Sequence, residues 1–153
     1  KSQNHSFIYK EDLFLFLTMN SRSFTKLNLS KTKHLLCKAK INGKTAKLLI
    51  DTGASNSCIH SELKEYFNLK EKGDPFDAAG ASEGKMQAVM TLECKIQLGR
   101  SFKGNQAFVL IDLNHVNATL NSQGAVRIDG IIGADFLKSN KAIIDYSLRK
   151  LFL

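Results

Sequence analysis

Apolar and polar residues alternate along much of this chain with the two-residue period of a strand. Thr91-Leu92-Glu93-Cys94-Lys95-Ile96-Gln97-Leu98 alternates up to Gly99 and predicts a half-buried strand, and Gln106-Ala107-Phe108-Val109-Leu110-Ile111 predicts a buried one. Leu48-Leu49-Ile50 is an apolar strand end, and Asn56-Ser57-Cys58-Ile59 returns to apolar character as a second short strand would. Gly130-Ile131-Ile132 leads through Gly133-Ala134-Asp135-Phe136-Leu137 and reads as strand, glycine, helical turn. Ala142 to Tyr146 and Lys150 to Leu153 form a hairpin around Ser147-Leu148-Arg149. Its last three residues would each forgo about 1.5 to 3 kcal/mol of burial if left in water, so the C-terminal strand is expected to pack. Ser61 to Leu69 is the best helix candidate, with Ser61 as N-cap and Leu63, Tyr66 and Phe67 on one face. Residues 112–128 are a polar connection to which the pattern assigns no element. The expected fold is mostly β with one or two short helices.

Length and composition keep this to one domain. The chain has 153 residues, 43% hydrophobic and with a single proline, enough for one real core and too few for two full lobes. Charge divides it unevenly. Residues 1–50 carry ten Lys or Arg against two Asp or Glu, and the remainder carries twelve of each, so the formal charge of +8 belongs to the N-terminal third. This predicts a basic N-terminal extension over 1–35, flexible or a pro-segment or an arm reaching the cleft or a partner subunit, and a folded domain over 36–153. Lys38, Lys40, Lys44 and Lys47 would form one lysine-rich outer strand face. Neither aromatic interleaving nor a nucleic-acid motif accompanies the charge, so nucleic acid is not the expected partner. Leu13-Phe14-Leu15-Phe16-Leu17 is too short for a membrane span or an export signal, and three cysteines without a framework suit a reducing compartment; the cytoplasm is expected. The four histidines show no ligand spacing, so no metal is expected. His60 beside Cys58 invites a thiol mechanism, but both more simply flank the strand after the glycine turn.

The residues that carry chemistry are Asp51-Thr52-Gly53-Ala54-Ser55, set directly after the apolar strand. A carboxylate at a buried strand end suits hydrolysis by a carboxylate pair, in which one acts as base on water and the other as acid. The bland alternative is a surface Asp-x-Gly turn, which has no need of the small apolar Ala54. The segment resembles the active-site loop of aspartic proteases. Ile131, Ile132 and Gly133, about eighty residues on, are similar to the hydrophobic-hydrophobic-Gly element that packs beside that loop in those proteins.

The resemblance is to single-domain retropepsin-like proteases and covers about residues 36–153. It implies a closed or orthogonal β-barrel, a catalytic Asp51, a Thr52 that hydrogen-bonds across the site, and a Gly53 that lets the backbone approach the carboxylates. Ala54, Ser55, Ile132 and Gly133 would support the site. The stretch Asp74 to Met90 would supply a substrate-covering flap with Gly80, Ala81, Ser82, Glu83 and Gly84 at its tip, although no aromatic stands there. Retroviral members pair an Asp with an Arg at the positions of Ser55 and Ala134; both are missing here together, which leaves no unpaired buried charge. That places the chain with cellular or bacterial members. With one Asp-Thr-Gly and no second copy in the sequence, the implied enzyme is a homodimeric endopeptidase acting on polypeptides, without cofactor. The alternative is a catalytically silent binding or dimerisation module on the same fold.

Overall fold

A computed structural model describes residues 21–78 and 86–153, together with Leu13, Leu17 and Thr18. Residues Phe14 to Phe16 of the N-terminal apolar run, and the whole expected flap tip from Gly80 to Gly84, lie outside the described residues.

The strands are β1 (Phe24–Leu29), β2 (Leu35–Ile41), β3 (Lys44–Ile50), β4 (Cys58–His60), β5 (Glu71–Ala78), β6 (Met86–Thr91), β7 (Cys94–Leu98), β8 (Phe102–Gln106), β9 (Val109–Ile111), β10 (Gly130–Ile132), β11 (Ile143–Asp145) and β12 (Lys150–Phe152). Between the strands lie the helices α1 (Asn114–Ser122) and α2 (Ala134–Ser139) and a 3-10 turn at Ser61–Leu63. Hydrogen-bonded neighbours run β11-β12-β1-β2-β3-β10-β4-β9-β6-β5, and β7 branches from β2 to carry β8. This path is open. Among the described residues no pairing joins its ends, so the strands do not close into the barrel that the resemblance implied.

The segments expected as strands form strands, with two shifts. The run from Thr91 to Leu98 divides at Leu92-Glu93 into the end of β6 and all of β7, and the run from Gln106 divides into the end of β8 and β9. Ser61 to Leu69 forms only the 3-10 turn followed by turns, and no side chain caps it. The unassigned stretch 112–128 contains α1. β1 falls within the stretch read from sequence as basic extension, and pairs with both β2 and β12.

Burial along β2 and β3 changes character midway, and this change positions the site. Near the hairpin the strands alternate: Ala39, Ile41 and Ala46 point into the core, while Lys38, Lys40 and Thr45 are exposed. The hairpin turn itself is Asn42-Gly43 with φ of 47° and 84°, the two left-handed residues that a tight two-residue turn requires. At the other end Leu35, Leu36 and Cys37 face Ile50, Leu49 and Leu48, and all six are buried, so both faces of the sheet are covered there. One face packs on Ile59, Phe108, Ile132 and Phe136; the other is covered by Leu120, Ala125 and Ile128 from α1 and the segment after it. Asn117 fastens that cover, since its side chain exchanges hydrogen bonds with both the amide and the carbonyl of Ile128, at 2.8 and 3.0 Å. The consequence is a rigid, doubly packed strand end immediately before Asp51.

Candidate active site

Strand β10 inserts between β3, to which it is parallel, and β4, to which it is antiparallel. Ile132 lies beside Ile50, and its carbonyl accepts the amide of Asp51 at 3.0 Å. That bond carries the ladder one residue past the end of β3 and fixes the backbone from which the Asp51 side chain departs. The chain then turns. Gly53 donates its amide to Asp51 Oδ1 at 2.8 Å, and Ala54 donates to the Asp51 carbonyl at 3.3 Å. A Cβ on Gly53 would lie 3.2 Å from the same carboxylate oxygen, so the glycine both donates to the acid and leaves room for it.

The loop is held from behind by the start of α2. Ala134 and Asp135 donate their amides to the carbonyls of Ala54 and Ser55, at 2.7 and 3.2 Å. Gly133 is in backbone contact with the loop: a Cβ there would come within 2.7 Å of the Ala54 carbonyl and 2.8 Å of Asn56. Ile132 and Gly133 are buried, whereas Thr52, Gly53 and Ser55 are exposed and Asp51 and Ala54 are half-buried. All seven of these sequence-predicted residues therefore meet at one place. The expected flap hairpin has its two arms in β5 and β6, which pair antiparallel. β5 is an edge strand with a register shift between Lys72 and Phe76, where Gly73 (φ 76°) and Pro75 sit, residues that a regular central strand would not take.

One group of residues at the site was not visible in the sequence. Asp135 Oδ1 accepts both the amide and the hydroxyl of Ser57, at 2.9 and 2.7 Å, and its Oδ2 accepts the side-chain amide of Gln106 at 2.9 Å. The Ser57 hydroxyl oxygen in turn accepts the amide of Gly133 at 2.9 Å. Three segments are thereby locked behind the loop, and Asp135 commits both oxygens to the lock. It is thus not free to serve as the second acid. Among the described residues no carboxylate hydrogen-bonds to Asp51.

Cys58 and His60 have structural surroundings. Burial pushes the Cys58 thiol up to about 11, which keeps it protonated and a poor nucleophile at neutral pH. His60 is fully buried; its Nδ1 accepts the amide of Leu113 at 3.0 Å, and its Nε2 stands 3.3 Å from a carboxylate oxygen of Glu62. It joins β4 to the approach of α1. No three His, Cys, Asp or Glu side chains gather into a metal site among the described residues. Beside Thr52 lies a shallow depression of about 400 Å³, lined also by Ala134, Leu137, Lys138, Lys141 and Ala142.

A carboxylate at a strand end, a glycine turn that clamps it, and a hydrophobic-Gly element packed against that turn all fall within one segment that the comparison with known families covers. The aspartyl protease family profile matches residues 37–136, and the chain belongs to that family. Solved structures of the same fold include the retroviral protease-like domain of Ddi1 from Leishmania major, at 20% identity and TM-score 0.55, covering 84% of this chain and 94% of that one. A retropepsin-like aspartic protease from Rickettsia conorii aligns at 20% identity and TM-score 0.55, covering 86% of this chain and 90% of that one. No curated protein matches the sequence. The fold is retropepsin-like.

Proposed function

We propose that the protein is an aspartic endopeptidase that works as a C2 homodimer, with one Asp51 from each copy meeting at the symmetry axis. The observation that carries this reading is the presentation of Asp51. Its half-buried carboxylate is clamped on one oxygen by Gly53, flanked by exposed Thr52 and Gly53, and hydrogen-bonded to no second acid among the described residues. A surface so arranged can be completed by a second copy of itself.

Two carboxylates a few ångströms apart do not both ionise cheaply, so the pair holds one proton between them. The ionised member takes a proton from a water as the water oxygen bonds to the scissile carbonyl carbon, and the protonated member gives its proton to the carbonyl oxygen. Collapse of the resulting diol breaks the carbon–nitrogen bond, and the nitrogen leaves with a proton returned by the pair. Thr52 would hydrogen-bond across the axis, and residues 80–84 would cover an extended polypeptide. The buried, free Cys37, Cys58 and Cys94 support a reducing compartment such as the cytoplasm. Among the described residues no helix is long and apolar enough to cross a membrane.

The reading is tested by cleavage of a mixed peptide library from about pH 3 to about pH 8, using the protein and its Asp51→Ala variant at concentrations that favour dimers. Cleavage with a bell-shaped pH profile that disappears in the variant is expected. Cleavage that persists in the variant, or is absent from both, would reject it.

A further inference from the structure

Away from the site, β1, β2, β7 and β8 present an unusual basic surface. Two clefts of about 550 and 450 Å³ adjoin one another and share Lys40 and Gln97. Between them they are lined by Lys26, Lys38, Lys40, Lys95 and Lys103, and no acidic residue lines either. All five lysines are exposed, and none has an ion-pair partner among the described residues. Register sets them out in rows. Lys40 lies opposite Gln97 and Gln97 opposite Lys103, while Lys95 faces Asn105. Along β2, Lys38 and Lys40 are two residues apart, a separation of about 6.5 to 7 Å. Lys38 also sits directly across from Lys47, a like-charge pairing that disfavours the sheet and that a bound anion would relieve. The sequence shows only the lysines of β2 and β3; folding adds Lys26, Lys95 and Lys103 from three further strands.

Against the expectation from the sequence, in which only the lysines of β2 and β3 were in view, we infer that these clefts bind the phosphodiester backbone of a nucleic acid, in an activity separate from the Asp51 site. Two adjoining concavities suit a linear polyanion, whereas a membrane surface is planar. The lysines can act as point charges on phosphate oxygens, and the side chains of Asn28, Gln97 and Asn105 between them can donate hydrogen bonds to the same oxygens. No aromatic residue lines the clefts, so there is no stacking platform and the binding is independent of base sequence.

The test is fluorescence anisotropy of the full chain with a labelled, mixed-sequence single-stranded oligonucleotide, titrated with salt. With five lysines engaged, log K should fall against log salt with a slope of about −3.5. The triple variant Lys38→Gln, Lys40→Gln, Lys103→Gln should lose at least about tenfold in affinity and shed about 2 from the slope. Lys31→Gln, Lys70→Gln, Lys72→Gln, with the same loss of charge outside the clefts, should bind within about twofold of the parent. Three results would overturn the inference: no binding at about 50 mM salt, equal losses in both triple variants, or displacement by polyglutamate or anionic vesicles as effective as by unlabelled oligonucleotide.

Discussion

Asp135 and Ser57 are joined twice, the serine giving both its hydroxyl and its amide to one oxygen of the acid, at 2.7 and 2.9 Å. Ser57 is fully buried, so the pair fixes the far end of the loop that begins at Asp51. Removing the acid would strand a buried hydroxyl and a buried amide together. Asp135→Ala is expected to destabilise the fold by about 2 to 4 kcal/mol in urea unfolding, since hydrogen bonds to a charged group are among the stronger ones. Asp135→Asn should cost less, because its carbonyl oxygen can keep both Ser57 bonds and only the bond from Gln106, whose amide also donates to the Ala107 carbonyl, is lost. Equal losses in the two variants would contradict this account of the lock.

Gly133 tests the close packing of the loop on β10. Its missing side chain is the space occupied by the Ala54 carbonyl and the Asn56 backbone, neither of which can rotate aside. Gly133→Ala should cost about 1 to 3 kcal/mol or more by overpacking, and should depress any Asp51-dependent cleavage further than the loss of folded protein explains. Thermal unfolding and cleavage per folded molecule measure the two effects separately. An unchanged melting temperature would show that the loop moves freely.

The three cysteines set an alkaline limit. Burial pushes Cys37 up to about 12 and Cys58 and Cys94 up to about 11, against about 8.5 in an unfolded chain. Below the unfolded value both states keep their protons and stability is indifferent to these thiols. Between there and about 11 the unfolded thiols ionise first, so the unfolded state binds fewer protons and stability falls as pH rises. The urea midpoint should therefore drop between about pH 8 and about pH 10, and the drop should shrink in Cys37→Ala. A drop of the same size in that variant would assign the effect to other groups.

Ala54 bears on the pH optimum. Pepsin-type sites often carry a hydroxyl at this position that can stabilise a charged catalytic carboxylate, and alanine supplies none. Peptide cleavage is expected to peak at a less acidic pH than that of gastric pepsin, and Ala54→Ser should move the acidic limb to lower pH. A parent optimum near about pH 2, or no movement in the variant, would contradict it.

Strand signals were legible wherever burial was simple. Leu48 to Asp51, the Gly130 to Leu137 unit and the C-terminal hairpin each combine an apolar run with a turn residue, and each forms where the pattern puts it. Helix α1 was not legible, because Asn-His-Val-Asn-Ala-Thr-Leu-Asn-Ser offers a weak apolar face and one of its two buried residues is Asn117. Its side chain is satisfied by the backbone of Ile128, a tertiary bond that periodicity does not reveal. β1 alternates as a strand should, with Thr25 and Leu27 inward, but it lies in a stretch whose charge dominated the reading. The lock of Ser57, Gln106 and Asp135 joins residues as far as 78 positions apart, and an acid at the second position of α2 was its sole sequence signal.

Mixing the protein with its Asp51→Asn variant tests the shared site most directly. The two are refolded together in equal amounts at fixed total concentration, so that dimers form at random. If each site needs Asp51 from both copies, only the homodimers of the parent cleave, and the rate should be about a quarter of that of the pure protein. A rate of about three quarters would mean that one Asp51 in a dimer suffices, a rate of about half that each copy works alone, and either would contradict the account.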